Sequence, residues 1–334
     1  MRAVTTLRSL RSNLGLTQCE LAEHLRATVA LGNPQPAPPQ TMIQFGILQG
    51  NGMKAWLPLL LLGGCLSGCQ HSRFLLPDET AGLDRIAQTL VSAFDQFAIV
   101  ALGENHWNKM DSELRIALVR SPEFAKRVRF IVVEFGSTAQ QQTLDRYIRG
   151  EDVPLAELQQ VWKTTSQPDG SWDSPVYADF YAAVRELNKK VPAGAQVRVL
   201  AGDPPAGSGF GRDATAFSVL QEQVLKAHGK ALVIYGSGHL LRAVPDPIRR
   251  LTTLLDTGYP GSTFVVITEG GPHKESQQFE RALKTQARPV LVSFGRPPFR
   301  DMAVGAFPGL TRGQIADACV YFGLAPEVWV NPHR

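Results

Sequence analysis

The sequence predicts an α/β fold: a mostly parallel sheet flanked by helices, with a helical cap between the second and third strands. Three observations predict it. Beyond residue 78 the apolar periodicity switches repeatedly between short β-rich runs and amphipathic helical stretches. The β-rich runs are almost continuously apolar, as in strands covered on both faces. The helical stretches between them have readable ends, which fits βαβ units joined by right-handed crossovers.

The strand candidates are 97–102, 129–134, 197–201, 231–235, 263–268 and 290–294. Between the second and third, Ser137 opens a helical stretch that Gly150 closes, since a glycine tolerates the left-handed conformation past a helix end. Ser174 and Pro175 start a further helix carrying Tyr177, Phe180, Tyr181, Val184 and Leu187 on one face. The whole stretch from Gly136 to Gln196 contains several helices and no clear strand, hence the expected cap. Asp213 starts the next helix, closed by Gly229. No fixed-period repeat is present.

The chain has 334 residues, 44% hydrophobic and 19% charged, enough to bury a full core. Its formal charge of +4 is concentrated at the front: from Cys69 onward 29 basic residues face 28 acidic ones. That near-neutral body argues against nucleic acid as a partner. The four cysteines, at 19, 65, 69 and 319, form no Cys-x-x-Cys pair near histidines, which excludes a zinc ribbon and a disulfide framework.

The front of the chain reads as leader sequence. From Met53 it runs MKAWLPLLLLGGCLSGCQHS: one lysine, an apolar run of 12 residues, then Leu66-Ser67-Gly68-Cys69. That run is too short to span a bilayer as a helix but suits a secretory signal, and Pro58 with Gly63 and Gly64 disfavours a buried helix. It resembles a bacterial lipoprotein signal in which Cys69 becomes the lipidated N-terminus, and Gln70 after it favours the outer membrane of a Gram-negative cell. The expected organisation is therefore an upstream extension over 1–52, a signal peptide over 53–68, a tether over 69–77 and one α/β domain over 78–334. Residues 10–25 resemble the first two helices of a repressor-type helix-turn-helix. They run into Asn33-Pro34-Gln35-Pro36, which leaves no recognition helix for the major groove.

Ligands of parallel sheets bind beyond the carboxyl ends of the strands. Those ends carry Glu104, Asn105, His106 and Trp107 after the first run, Glu134 at the second, Asp203 after the third, His239 after the fourth and Glu269 after the fifth. A histidine held by a carboxylate can take a proton from water, and a second histidine can donate one or stabilise an oxyanion. On this reading His106 is the general base, Glu134 its orienting partner or proton relay, and His239 the second acid or electrostatic group. Glu104, Asp203, Trp107 and Glu269 are supporting or ligand-binding residues, with Asp203 and Glu269 equally suited to turns and caps. The same imidazole and carboxylate donors are able to hold a divalent metal, although no His-Glu-x-x-His spacing occurs.

Other arrangements are weaker. No Gly-x-Ser-x-Gly elbow is present, and Gly207-Ser208-Gly209-Phe210-Gly211 lacks the lysine of a phosphate loop, so it reads as a flexible connection. His228 and His273 read as surface residues, Trp162 and Trp172 as core or cap packing, and Cys319 as a buried thiol.

The segments VALGENHWNKMDSE (100–113), FIVVEFG (130–136), LDRYIRGEDVPLAELQQVW (144–162), RVLAGDPP (198–205) and VIYGSGHLL (233–241) together resemble the ChaN-like haem-binding proteins and their relatives, the erythromycin esterases and Tiki-type proteins. ADACVYFG (316–323) is similar to a closing family segment. The esterase branch implies metal-independent water activation by a glutamate and two histidines, here Glu134, His106 and His239. The ChaN branch implies a lipoprotein associated with haem uptake, in agreement with Cys69. The Gly-Glu-Asn-His spacing is closer to ChaN. Tyr147, Tyr177 and Tyr181 are available as haem ligands, but their helical spacing makes them core residues first.

The expectation is thus an envelope protein, membrane-anchored through lipid, hydrolysing an ester- or amide-type small molecule. The competing expectation is haem as the ligand, bound in the same crevice without turnover.

Overall fold

Val100 and Leu102 pack into one hydrophobic core, and Ile99 and Ala101, their neighbours in strand β2 (Ile99–Glu104), pack into another. The same period of two divides every central strand: Ile131 and Val133 from Val132, Leu232 and Ile234 from Val233 and Tyr235, Val266 from Val265 and Ile267. A sheet that is apolar on both faces must be covered on both, which explains the near-continuous apolar runs. The computed structural model describes residues 74–245, 250–325 and 328–330. The expected leader, Cys69 and the helix-turn-helix-like segment lie outside the described residues.

The sheet has the order β1-β7-β8-β6-β2-β5-β3-β4. The other strands are β1 (Glu79–Ala81), β3 (Phe130–Ser137), β4 (Arg198–Asp203), β5 (Ala231–Gly236), β6 (Thr263–Glu269), β7 (Val290–Ser293) and β8 (Ala318–Tyr321). Numbering only helices of eight residues or more, α1 (Leu83–Ser92), α2 (Lys109–Arg120), α3 (Gln141–Arg149) and α4 (Pro175–Asn188) supply the first core layer, through side chains such as Leu90, Leu118, Ile148 and Phe180. The second layer comes from α5 (Arg212–Leu220), α6 (Leu251–Gly258) and α7 (Lys274–Ala282), through Leu220, Leu255 and Phe279. The expected cap is present: α3, the short helices Leu155–Leu158 and Gln160–Lys163, and α4 lie between β3 and β4. Among the described residues no helix is long and apolar enough to cross a membrane.

Several boundaries differ from the sequence reading. The run at 290–294 forms β7, which is antiparallel to both β8 and β1. Continuous apolarity reports burial on two faces and carries no information on direction. The strand expected from residue 97 starts at Ile99, because Phe97 is drawn into an aromatic group with Phe74 and Phe264, at ring separations of 6.1 and 5.2 Å. β3 continues through Ser137 after an irregularity in its pairing with β4 between Val133 and Ser137, and a 3₁₀ turn, Thr138–Gln140, precedes α3. Gly150 does cap α3, with φ of 102°, and Pro175 opens α4 behind Ser174.

Candidate active site

The strand order makes β2, β5, β3 and β4 consecutive neighbours, all parallel. Their carboxyl ends therefore lie side by side, and they carry Glu104, Gly236, Glu134 and Asp203. The short helix Ser237–Leu240 follows β5 directly and carries His239. Gly103 is required where this helix crosses β2, since a Cβ there would stand 2.7 Å from Ser237 Oγ and 3.1 Å from Ser237 Cα.

Glu104 shares the parity of Val100 and Leu102, so it faces the layer of α2 and α4. There it pairs with Arg115 of α2 and accepts a 3.4 Å bond from the Tyr177 hydroxyl of α4. Arg115 is wholly buried among the rings of Tyr177, Phe135 and Phe180, its guanidinium carbon 4.9, 5.3 and 5.7 Å from their centroids. Burial alone would raise the Glu104 pKa, but the Arg115 charge and the bond to His106 outweigh it and hold the carboxyl below its usual range. The ionised Glu104 Oε1 lies 3.0 Å from His106 Nδ1, which therefore carries the proton and donates. The Trp172 ring meets the His106 ring edge-on at 4.7 Å.

Glu134 has the opposite parity, that of Val132, and faces the layer of α5. It pairs with Arg212 of α5, and its other oxygen accepts from the Gly236 N–H at 2.6 Å. Arg212 also donates to Asp203 at 2.9 Å, and Asp203 accepts from the Ser166 amide and hydroxyl at 2.6 and 2.7 Å. Next to Arg212, Asp213 stands 2.9 Å from His239 Nδ1 and accepts from the Leu251 N–H at 2.7 Å. Burial pushes the Asp213 pKa upward, yet His239, the Leu251 N–H and Arg212 together bring it below the usual carboxylate value.

The two halves meet at Glu134. His106 Nε2 is 3.9 Å from Glu134 Oε2, and His239 Nε2 is 3.6 Å from Glu134 Oε1. Each imidazole is thus fixed at Nδ1 by its own carboxylate and turns Nε2 toward a common third one. Glu134 is fully buried, and His106 and His239 are 8% and 9% exposed. His239 Nε2 is buried with no hydrogen-bond partner. Two oriented imidazoles beside one anchored carboxylate can hold a water, remove its proton and return a proton elsewhere.

His106, Glu134, His239, Glu104 and Asp203 are all brought together. The carboxylate on His106 Nδ1 is Glu104, while Glu134 faces Nε2. Trp107 adjoins the site but turns its indole N–H to Ser171 O at 2.5 Å. Its backbone lies in the left-handed region, φ 64°, a conformation that costs a non-glycine residue about 1–2 kcal/mol. Glu269 stands apart, at the end of β6, paired with the buried Arg312. The sequence reading missed Arg115, Arg212 and Asp213 as site residues. Asp213 was visible as a helix start, and its second use, as partner of His239, depends on α5 and the Ser237–Leu240 helix meeting in space. Arg115 could have been found as a basic residue on the inner face of the helix that follows Glu104.

The donor set does not suit a metal ion. The carboxylates are committed to guanidinium, imidazole and backbone N–H partners, and among the described residues no group of three or more His, Cys, Asp or Glu side chains is arranged to hold one. Nor do Tyr177 and Tyr181 suit haem iron. Both are fully buried, Tyr181 donates to Phe135 O at 2.7 Å, and burial lifts both phenols well above their ordinary pKa. Tyr147 packs against Arg185, whose guanidinium carbon lies 4.7 Å from its ring centre.

No protein-family model and no curated protein matches the chain. Solved structures do. The erythromycin esterase EreC, as a histidine-to-asparagine mutant in its open conformation, superposes with a TM-score of 0.55 at 10% identity, over 74% of this chain and 95% of that one. A Bacillus cereus protein superposes with a TM-score of 0.53 at 11% identity, over 75% and 94%. The chain therefore shares its fold with these two proteins. ChaN of Campylobacter jejuni, solved with cofacial haem, gives a TM-score of 0.34 at 13% identity over 55% of this chain and 85% of that one, below the level that fixes a shared fold.

Proposed function

We propose that the domain is a hydrolase that activates water on an ester- or amide-type substrate. The observation that carries this reading is the convergence of His106 Nε2 and His239 Nε2, at 3.9 and 3.6 Å, on opposite oxygens of Glu134. With Nδ1–H donated to Glu104, the neutral His106 ring has its lone pair on Nε2 and takes a proton from a water lying against Glu134. The resulting imidazolium is stabilised by Glu104 on one side and Glu134 on the other. Glu134, between the two rings, relays that proton to Nε2 of His239, which is held by Asp213 at Nδ1 and passes it to the leaving group, so that both rings return to their starting state. While it carries the proton, His239 stabilises the oxyanion that water attack creates. Arg212 and the Gly236 N–H keep Glu134 in place between the two rings.

The test is a panel of ester and amide substrates with the parent, His106→Ala, His239→Ala and Glu134→Gln. Any activity of this site falls by at least about a hundredfold in His106→Ala, the size of a lost general base. An activity that survives both His106→Ala and Glu134→Gln belongs to another site.

We further propose that the domain resides in the bacterial cell envelope, attached through a lipid on Cys69. The lipoprotein-like sequence from Met53 to Cys69 supports it. Incorporation of labelled palmitate by the parent and not by Cys69→Ser is the expected result.

A further inference from the structure

Trp107 is fastened at every backbone group and at its indole. Its N–H donates to the Tyr177 hydroxyl at 3.2 Å, its indole N–H to Ser171 O at 2.5 Å, and its carbonyl accepts from Val330 N–H at 2.8 Å. The last bond belongs to a short extended segment near the end of the chain. Lys109 N–H donates to Val328 O at 2.9 Å, Asn108 and Trp329 form an antiparallel bridge, and the Ser174 hydroxyl binds Val330 O. The segment is thus stitched on one side to the three residues after His106, and on the other to the start of α4, the helix that carries Tyr177.

Two features argue that these bonds act on position more than on core packing. Val328 and Trp329 are 48% and 44% exposed, so these two contribute mainly their backbone, while Val330 also packs its side chain against the first core, which is why Val330→Ala is the control for lost packing. The residue it grips has a left-handed backbone, which an aromatic side chain adopts only when its surroundings impose it. That conformation directly follows His106 and sets the direction in which the chain leaves it.

We infer that Val328–Val330 is a positioning strap for His106: its bonds to Trp107 and Lys109 keep the loop turned so that Nδ1 meets Glu104 and Nε2 faces Glu134. The catalytic part of this inference rests on the proposed hydrolysis, whereas the geometric part does not. Tyr177 links the two, since its hydroxyl accepts from Trp107 and donates to Glu104.

The experiment compares Val330→Pro, which removes the N–H that binds Trp107, with Val330→Ala, which keeps it. Imidazole nitrogen resonances of His106 and His239 are recorded together with the thermal midpoint and, where a substrate is in hand, kcat and KM. In the parent and in Val330→Ala, His106 shows one tautomer with Nδ1 protonated. In Val330→Pro that signature is lost while the His239 ring keeps its own, and kcat falls about a hundredfold with KM little changed, the effect of misplacing one reacting group. A chain stopped after Ala325 removes the same bonds without introducing proline, and gives the same ring spectrum if Val330→Pro fails to fold. Parent-like His106 nitrogens in either variant overturn the inference. Because the ring spectrum needs no substrate, loss of the signature in a protein without hydrolytic activity overturns the hydrolase reading and leaves the strap standing.

Discussion

Asp111 and Thr268 meet across 2.5 Å behind the loop that carries His106. Thr268 Oγ1 also lies 3.1 Å from the Gly103 carbonyl and accepts from Asn105 at 3.2 Å, so the pair buttresses both sides of Glu104. The other Asp111 oxygen is buried without a partner. Burial chiefly, countered by the Thr268 bond and aided by the nearby Glu104 charge, pushes the Asp111 pKa up to about 7. An acid whose pKa is higher folded than unfolded binds more protons in the native state between the two values. Its contribution to stability is complete below its unfolded value near 3.8 and is lost as the pH rises through about 7. Asp111→Asn, which keeps a neutral acceptor for Thr268, should therefore gain stability relative to the parent as the pH rises from 4 to 8. The difference should reach a few kcal/mol, since each tenfold change in proton affinity on folding is worth about 1.4 kcal/mol. Urea midpoints measured across that range check this, and parallel curves for the two proteins would count against a neutral Asp111.

Glu104→Gln tests the first half of the site. The substitution keeps the shape but removes the negative charge that faces Arg115, leaving a fully buried guanidinium among aromatic rings. Breaking a buried pair from one side costs roughly 3–5 kcal/mol. The expected result is a lower thermal midpoint together with loss of the His106 orientation. Glu104→Gln combined with Arg115→Met removes both charges, so it should recover much of the stability while leaving catalysis impaired. If the double variant is as unstable as the single one, the unpaired Arg115 is not the cause.

The strands were legible because a two-faced sheet writes itself as short apolar runs, and the positions of His106, Glu134 and His239 because polar residues interrupt those runs at their carboxyl ends. Strand order was not legible. Ile131 and Leu232 look alike in sequence, and only their pairing places β5 between β2 and β3 and brings His239 to Glu134. β1, at 3 residues, is too short for an apolar run to stand out. Which carboxylate holds which nitrogen of His106 was hidden for a related reason. Glu104 and Glu134 face opposite layers, and the chain had to fold before one could be seen at Nδ1 and the other near Nε2.

A haem titration separates the two functional expectations that the sequence raised. Tyr177 and Tyr181 are buried, hydrogen-bonded and held as neutral phenols. Phenolate ligation of iron needs an accessible oxygen that gives up its proton. Tyr177→Phe and Tyr181→Phe should leave any shift of the Soret band unchanged in position and saturation. A saturable shift that disappears in Tyr177→Phe would move the site toward haem binding and away from water activation.

Asp213→Asn is the sharpest test of the second half. The carboxylate holds His239 Nδ1 at 2.9 Å, and its other contact, the Leu251 N–H, anchors α6 at 2.7 Å. An asparagine can satisfy one partner as acceptor, but it no longer fixes the proton of His239 on Nδ1 by charge. In carboxylate–histidine dyads the wrong tautomer lowers kcat by up to about 10⁴ with the geometry preserved. Here the turnover of an ester substrate should fall by at least about a hundredfold, KM should stay near the parent value, and the His106 ring spectrum should not change. The native Asp213 pKa lies below its unfolded value, so its contribution to stability is present above about 3.8 and is lost as the pH falls through the depressed native value. Asp213→Asn should lose that acid-side dependence as well. Full activity in Asp213→Asn, with the His239 tautomer altered, would remove His239 from the proton-transfer steps and leave His106 and Glu134 as the working pair.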